Sequence, residues 1–113
     1  MENQAEQKQD ITFEDFMKVD IRAGVIMSVR RVPKSKKLLE LQVNFGTFKR
    51  QILSAIGHIF VEEKTLENMT CTFVLNIPPR TIMGLESHGM ILAVGDNCSL
   101  LCPMGPVEPG SSI

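Results

Sequence analysis

The stretch LLELQVNF, residues 38–45, constrains the fold more than any other part of this chain. Leu39, Leu41, Val43 and Phe45 alternate with Glu40, Gln42 and Asn44. Neighbouring side chains of a strand point to opposite faces, so this period of two builds one apolar face and one polar face. Gly46-Thr47 follows as a tight turn, and FKRQILSAI, residues 48–56, returns as the partner strand. The pair is the clearest hairpin in the chain.

The flanking segments extend the β pattern. DIRAGVIMSVRRV, residues 20–32, is rich in β-branched residues and ends at Pro33. It reads as a long first strand bent at Gly24, where a missing side chain permits a bulge or a barrel corner. MTCTFVLNI is a fourth strand closed by Pro78-Pro79, GMILAVG a fifth and SLLCP a short sixth before a Pro/Gly-rich tail. GHIFVEEKTLEN breaks the pattern as a turn or short helix. At the N-terminal end, Thr12 is placed to cap a short helix, with Glu14 and Asp15 in its first turn where the helix dipole favours acids. Phe13, Phe16 and Met17 share one face of it, which is expected to dock on the barrel. Residues 1–11 read as a disordered leader, and residues 12–113 as one domain, in line with the 113-residue length. The expected fold is all-β: a five-stranded OB-fold barrel with a short N-terminal helix and a C-terminal extension.

Charge is distributed unevenly. The chain carries a formal charge of -1, but residues 21–57 hold eight bases against the single acid Glu40, a local +7, between flanks of -4 each. Arg30, Arg31, Lys34, Lys36 and Lys37 cluster between the first and second strands, and Lys49 and Arg50 open the third. A local basic patch, rather than the average pI, is the test for a polyanion binder. The bland reading of such a run is a solvated face. In an OB-fold the loop after the first strand borders the nucleic-acid face, so the cluster is expected to edge a phosphate track.

Catalytic signals are sparse. The two histidines, His58 and His88, form no metal-binding pair at helical spacing, and no phosphate-binding Gly-rich loop precedes a helix. Ser87 and His88 are sequence neighbours and point apart in a strand, which disfavours a nucleophile–base pair. The expectation is a binding protein with no catalytic residues, no metal and no cofactor. Cys71, Cys98 and Cys102, an odd count without an export signal, read as reduced cytoplasmic thiols serving as small apolar residues. No apolar run approaches the ~20 residues of a membrane helix. The chain has no Trp or Tyr and six Phe, of which Phe45, Phe48, Phe60 and Phe73 fall in or near the strands. With base-stacking platforms scarce, phosphate contacts and shape should dominate any RNA recognition, which favours folded RNA.

The segment NIPPRTIMGLESHGMILA, residues 76–93, together with VDIRAGVI at 19–26, KKLLELQVNFG at 36–46 and RQILSAI at 50–56, resembles the tRNA-binding domain family. That family includes the C-terminal domain of bacterial methionyl-tRNA synthetases, free-standing structure-specific tRNA-binding proteins and the endothelial-monocyte-activating polypeptide II type of domain. The resemblance implies an OB-fold that binds the outside corner of tRNA without reading its sequence, a homodimer formed through the C-terminal region, and methionyl-tRNA synthetase as a possible partner. It places RNA contacts at Ser87 and Met90 and basic contacts at Lys36, Lys37 and Arg50, with Arg80 and Asn76 nearby. Met90 also starts an apolar strand, so core packing and base contact both stand open. Where many relatives have a His-Pro-x-Ala-Asp-Lys-Leu stretch, this chain has VPKSKKL, losing a histidine and an acid and gaining lysines. Pro78-Pro79-Arg80 is similar to a sister branch of chaperone-like export proteins, whose related domains bind peptides through the same groove.

Overall fold

The computed structural model describes residues 6–113. The leader expected at residues 1–11 lies partly outside the described residues. From Thr12 onward the elements are α1 (Phe13–Phe16), β1 (Ile21–Arg31), β2 (Leu39–Asn44), β3 (Lys49–Ser54), a 3₁₀ turn (Glu63–Leu66), β4 (Thr70–Val74), β5 (Arg80–Ile82), β6 (Leu85–Ser87), β7 (Met90–Ile91), β8 (Ala93–Val94) and β9 (Ser99–Leu100). Five strands form one antiparallel sheet in the order β3-β2-β1-β4-β7, curled into an OB-like half-barrel.

The hairpin read from the alternating run is present in register, with Leu39 opposite Ser54 and Asn44 opposite Lys49. Leu39, Leu41, Val43 and Phe45 are all buried, as the alternation requires. They pack with Ile26, Ile52, Leu66, Cys71 and Phe73 into the main core. Phe45 and Phe73 meet edge to face at 5.4 Å, an arrangement aromatic rings prefer.

β1 curls the sheet by changing partners. Its second half pairs with β2 and its first half with β4. The register shift lies between Ile26 and Ser28, so the bulge is at Met27 rather than at the expected Gly24. Gly24 has a different task. A Cβ there would sit 2.6 Å from the Phe45 ring and 2.7 Å from Val43, so the absent side chain is the space those core groups fill.

Two further details differ from expectation. α1 forms as read, with the Thr12 hydroxyl accepting the Asp15 amide at 3.0 Å, but it buries no residue. Phe13 remains 76% exposed, so four residues of helix do not dock their apolar face. The fifth expected strand is divided into β7, which pairs with β4, and β8, which pairs with β9; Leu92 stands between them, bonded to Thr72 on one side and Leu101 on the other. The Pro/Gly-rich tail is held to the barrel: Gly110, Ser111 and Ile113 exchange backbone hydrogen bonds with Ala23 and Ile21 of β1.

Candidate nucleic-acid interface

The segment between β4 and β7 builds the distinctive surface. After Leu75 the chain leaves the barrel, forms the β5–β6 hairpin and returns along the free edge of β3. Met83 and Gly84, both with positive φ, make its tight turn. Ile82 and Leu85 pack on Val32, Leu38 and Leu53, a second small core on the outer face of the barrel. The return strand is fastened to β3: the His88 amide donates to Gln51 O at 2.9 Å, the Gln51 side chain donates to Glu86 O at 2.9 Å, and the Leu53 amide donates to the Ser87 hydroxyl at 2.9 Å.

Two recesses flank Ile77. The larger, of about 500 Å³, lies between Lys49, Arg50 and Gln51 on one side and Ile77, Pro79 and His88 on the other. The smaller, about 80 Å³, is lined by Pro78, Arg80, Ile82 and Met90 among others. Cations and exposed apolar groups therefore share one surface. The imidazole of His88 lies 3.1 Å from the Glu86 carboxylate at its rim.

The basic residues divide by what holds them. Lys34, Lys36, Lys37, Lys49 and Arg80 make no ion pair among the described residues and are exposed. Arg30 is paired with Glu40 across the β1–β2 ladder. Arg31 is engaged inside the protein: it pairs with Glu63 at 3.2 Å and donates to the carbonyls of Gly57, Phe60 and Val61 at 3.0–3.1 Å. Gly57 admits it, since a Cβ there would lie 2.7 Å from the guanidinium. Arg50 stands opposite Val43 and two residues before Ile52, on the core-facing parity of β3. It therefore emerges at the barrel mouth, donates to Leu75 O at 2.8 Å and lies over the Phe48 ring at 5.3 Å. Arg22 covers the same ring at 5.6 Å while paired with Asp20 at 2.8 Å, a carboxylate that raises the guanidinium pKa.

The structure separates the basic cluster into two groups. Lys36 and Lys37 precede β2, whereas Lys49 and Arg50 lie at its far end, roughly 20 Å away for six residues of strand. The β5–β6 hairpin spans that interval, with Arg80 at its base and its Ile82 and Leu85 packed with Val32 and Leu38, which flank the loop that carries Lys34 to Lys37.

Three positions singled out by resemblance have definite places. Ser87 is 5% exposed, and its hydroxyl accepts the Leu53 amide and donates to Gly89 O, so in this conformation it clasps the hairpin to β3. Asn76 staples the start of β1 by accepting the Asp20 amide at 2.8 Å and donating to Lys18 O. Met90 is 48% exposed and lines the smaller recess, which removes the core-packing alternative. Sequence reasoning missed the β5–β6 hairpin and the engagement of Arg31. The Met-Gly pair between RTI and LES was the signal for the hairpin, whereas nothing local marked Arg31 as different from Arg30.

No group of three or more His, Cys, Asp or Glu among the described residues is placed to hold a metal ion, and no helix among them is long and apolar enough to cross a membrane. Methionine-tRNA ligase of Methanoregula boonei is 47% identical over 103 residues, covering 91% of this chain and 15% of that protein. This chain thus spans about one-sixth of the length of the curated relatives it matches. A MetRS-related protein of Pyrococcus horikoshii superposes with a TM-score of 0.82 at 24% identity, over 94% of this chain and 99% of that one, and shares the fold. A CsaA chaperone protein of Picrophilus torridus superposes with a TM-score of 0.81 at 30% identity, over 92% and 99%. Residues 21–112, from the first residue of β1 to the tail that pairs back onto it, match the family described as putative tRNA binding domain, and the chain belongs to that family.

Proposed function

We propose that this chain is a non-catalytic module that binds folded tRNA through the surface between the Lys34–Lys37 loop, the β5–β6 hairpin and the β3 edge. The observation that carries the reading is that Lys34, Lys36, Lys37, Lys49 and Arg80, the five exposed cations around this surface, have no ion-pair partner among the described residues, in a chain of net charge -1. Phosphates are the natural partners of such groups, and phosphate contacts position a nucleic acid without reading its sequence. Arg50 and Met90 line the same recesses. Arg30, Arg31, Asn76 and Ser87 hold the surface in shape, through bonds to Glu40, the 57–61 carbonyls, Asp20 and Leu53 respectively.

Nuclease footprinting of a folded tRNA tests this. Protection concentrated at the outer corner, where the two side loops meet, is expected. Protection confined to the acceptor or anticodon end would sink the reading.

The curated relatives named methionine-tRNA ligase support a role beside a synthetase, as a separate tRNA-binding subunit or a free-standing protein in the cytoplasm. There it would raise the local tRNA concentration. A homodimer is part of the same proposal. Phe13, Phe16, Met17, Val107 and Ile113 leave apolar surface exposed at the two ends of the described chain, and analytical ultracentrifugation reads the mass directly.

One observation favours a second reading. Ile77, Pro78 and Ile82 give the recesses apolar walls, and a chaperone protein is among the similar structures. Peptide capture through the same groove would survive high salt, whereas tRNA binding would not.

A further inference from the structure

The main core and the segment after β9 bring together a pair of thiols. Cys71 lies on β4 and is fully buried, and Cys102 lies beyond β9 and is exposed. Their sulfurs are 3.5 Å apart. The proximity is fixed by backbone rather than by side-chain reach. The Leu101 carbonyl accepts both the amide and the hydroxyl of Thr72, at 3.0 and 2.9 Å, and the Leu101 amide donates to Leu92 O at 3.1 Å. Those bonds hold the residue after Leu101 beside the residue before Thr72. A disulfide needs its sulfurs about 2.05 Å apart, which is reached here by a sulfur displacement of about 1.5 Å.

We propose that Cys71 and Cys102 form a reversible disulfide when the protein meets a hydroperoxide, fastening the C-terminal segment to β4. The two thiols have distinct parts. Cys102 is the sulfur an oxidant reaches. It attacks the O–O bond, becomes a sulfenic acid and releases the alcohol, or water from hydrogen peroxide. The Cys71 sulfur then displaces the hydroxyl group from Cys102, and the departing oxygen takes the Cys71 proton and leaves as water. Two thiols and one hydroperoxide give one disulfide, one alcohol and one water; the sulfurs are oxidised and the peroxide reduced. Burial raises the Cys71 pKa to about 12, with the neighbouring Cys102 adding to it, so at neutral pH Cys71 is protonated and is not the sulfur that reacts first; its place 3.5 Å from Cys102 makes it the second, and its proton leaves with the departing hydroxyl. The closed loop, 31 residues in sequence separation, contains the whole 76–90 segment.

The test is thiol counting in denaturant after treatment of the full chain with hydrogen peroxide. From three thiols, one should remain, with a mass decrease of about 2 Da for the two hydrogens removed. The melting temperature should rise by roughly 10 °C, as expected for closing a loop of this length. Dithiothreitol should reverse both changes. Cys98→Ser should lose both remaining thiols on oxidation and show the same thermal shift. Cys102→Ser, a change at an exposed position, should form no disulfide and show no shift. Three thiols surviving oxidation, a covalent dimer through Cys102, or an equal loss of thiols as a disulfide in Cys102→Ser would each overturn the proposal.

Discussion

Ser87 closes the free edge of β3 by accepting the Leu53 amide at 2.9 Å with its side-chain oxygen. The same hydroxyl donates to Gly89 O at 3.0 Å, so both its bonds stay inside the protein. Replacing it with Ala would leave a buried amide without a partner, at a cost of about 1–3 kcal/mol. Urea unfolding of Ser87→Ala should show that decrease, while the folded variant retains its RNA affinity. Unchanged stability with abolished RNA binding would restore Ser87 as a contact residue.

Gly24 is expected to resist even Ala. The Phe45 and Val43 side chains occupy the space a methyl group would need, and overpacking of this kind costs about 1–3 kcal/mol. A melting temperature lower than the parent's checks it. Gly24→Ala at full stability would show that the core can shift to admit the group.

The fold was legible where one local rule was enough. Alternation placed Leu39 to Phe45 correctly because one face of that hairpin is dry. Thr12 announced its helix because an N-cap is a local bond. The bulge at Met27 was not legible, since it depends on where β1 exchanges one partner for another. The site was legible in composition and not in arrangement. Arg30, Arg31 and Lys34 look alike in sequence. Only the folded chain brings Glu40 and Glu63 beside the first two and leaves the third exposed. Likewise, Cys102 read as a buried apolar residue, and its exposure beside Cys71 follows from a backbone pairing 31 residues apart.

That division among the bases makes a sharp contrast in mutants. Lys36→Ala with Lys37→Ala should lower the slope of log affinity against log salt by roughly 0.7–0.9 for each phosphate no longer neutralised, equally for all tRNAs. Stability should stay within about 0.5 kcal/mol, as for surface changes generally. Arg31→Ala should behave oppositely, reducing stability by about 1.5–3 kcal/mol as charged hydrogen bonds are removed. Salt-dependent titrations beside denaturation curves separate the two. Similar effects from both mutants would contradict the assignment.

Glu67 links pH to stability. Its carboxylate accepts the Val29 amide at 3.1 Å and lies 3.3 Å from Lys64 Nζ, and these bonds lower its pKa from the ordinary 4.5. A carboxylate depressed in the folded state binds its proton more readily when unfolded. Its contribution is therefore present above about pH 4.5 and lost as pH falls through the depressed folded value. Glu67→Gln should flatten the fall in melting temperature over that acid range and leave its shape near pH 7 unchanged. An acid limb identical to the parent's would show that Glu67 carries none of this dependence.

The most direct test of the central claim is a titration with a folded tRNA and an unstructured RNA of equal length, repeated over a series of salt concentrations. Because the chain lacks Trp and Tyr, bound RNA also declares itself in the absorbance of the complex. Tighter binding to the folded tRNA, weakening steeply as salt rises, is the predicted result. Equal and weak binding to both RNAs, with no difference in salt slope, would contradict it and leave the exposed lysines as a solvated face.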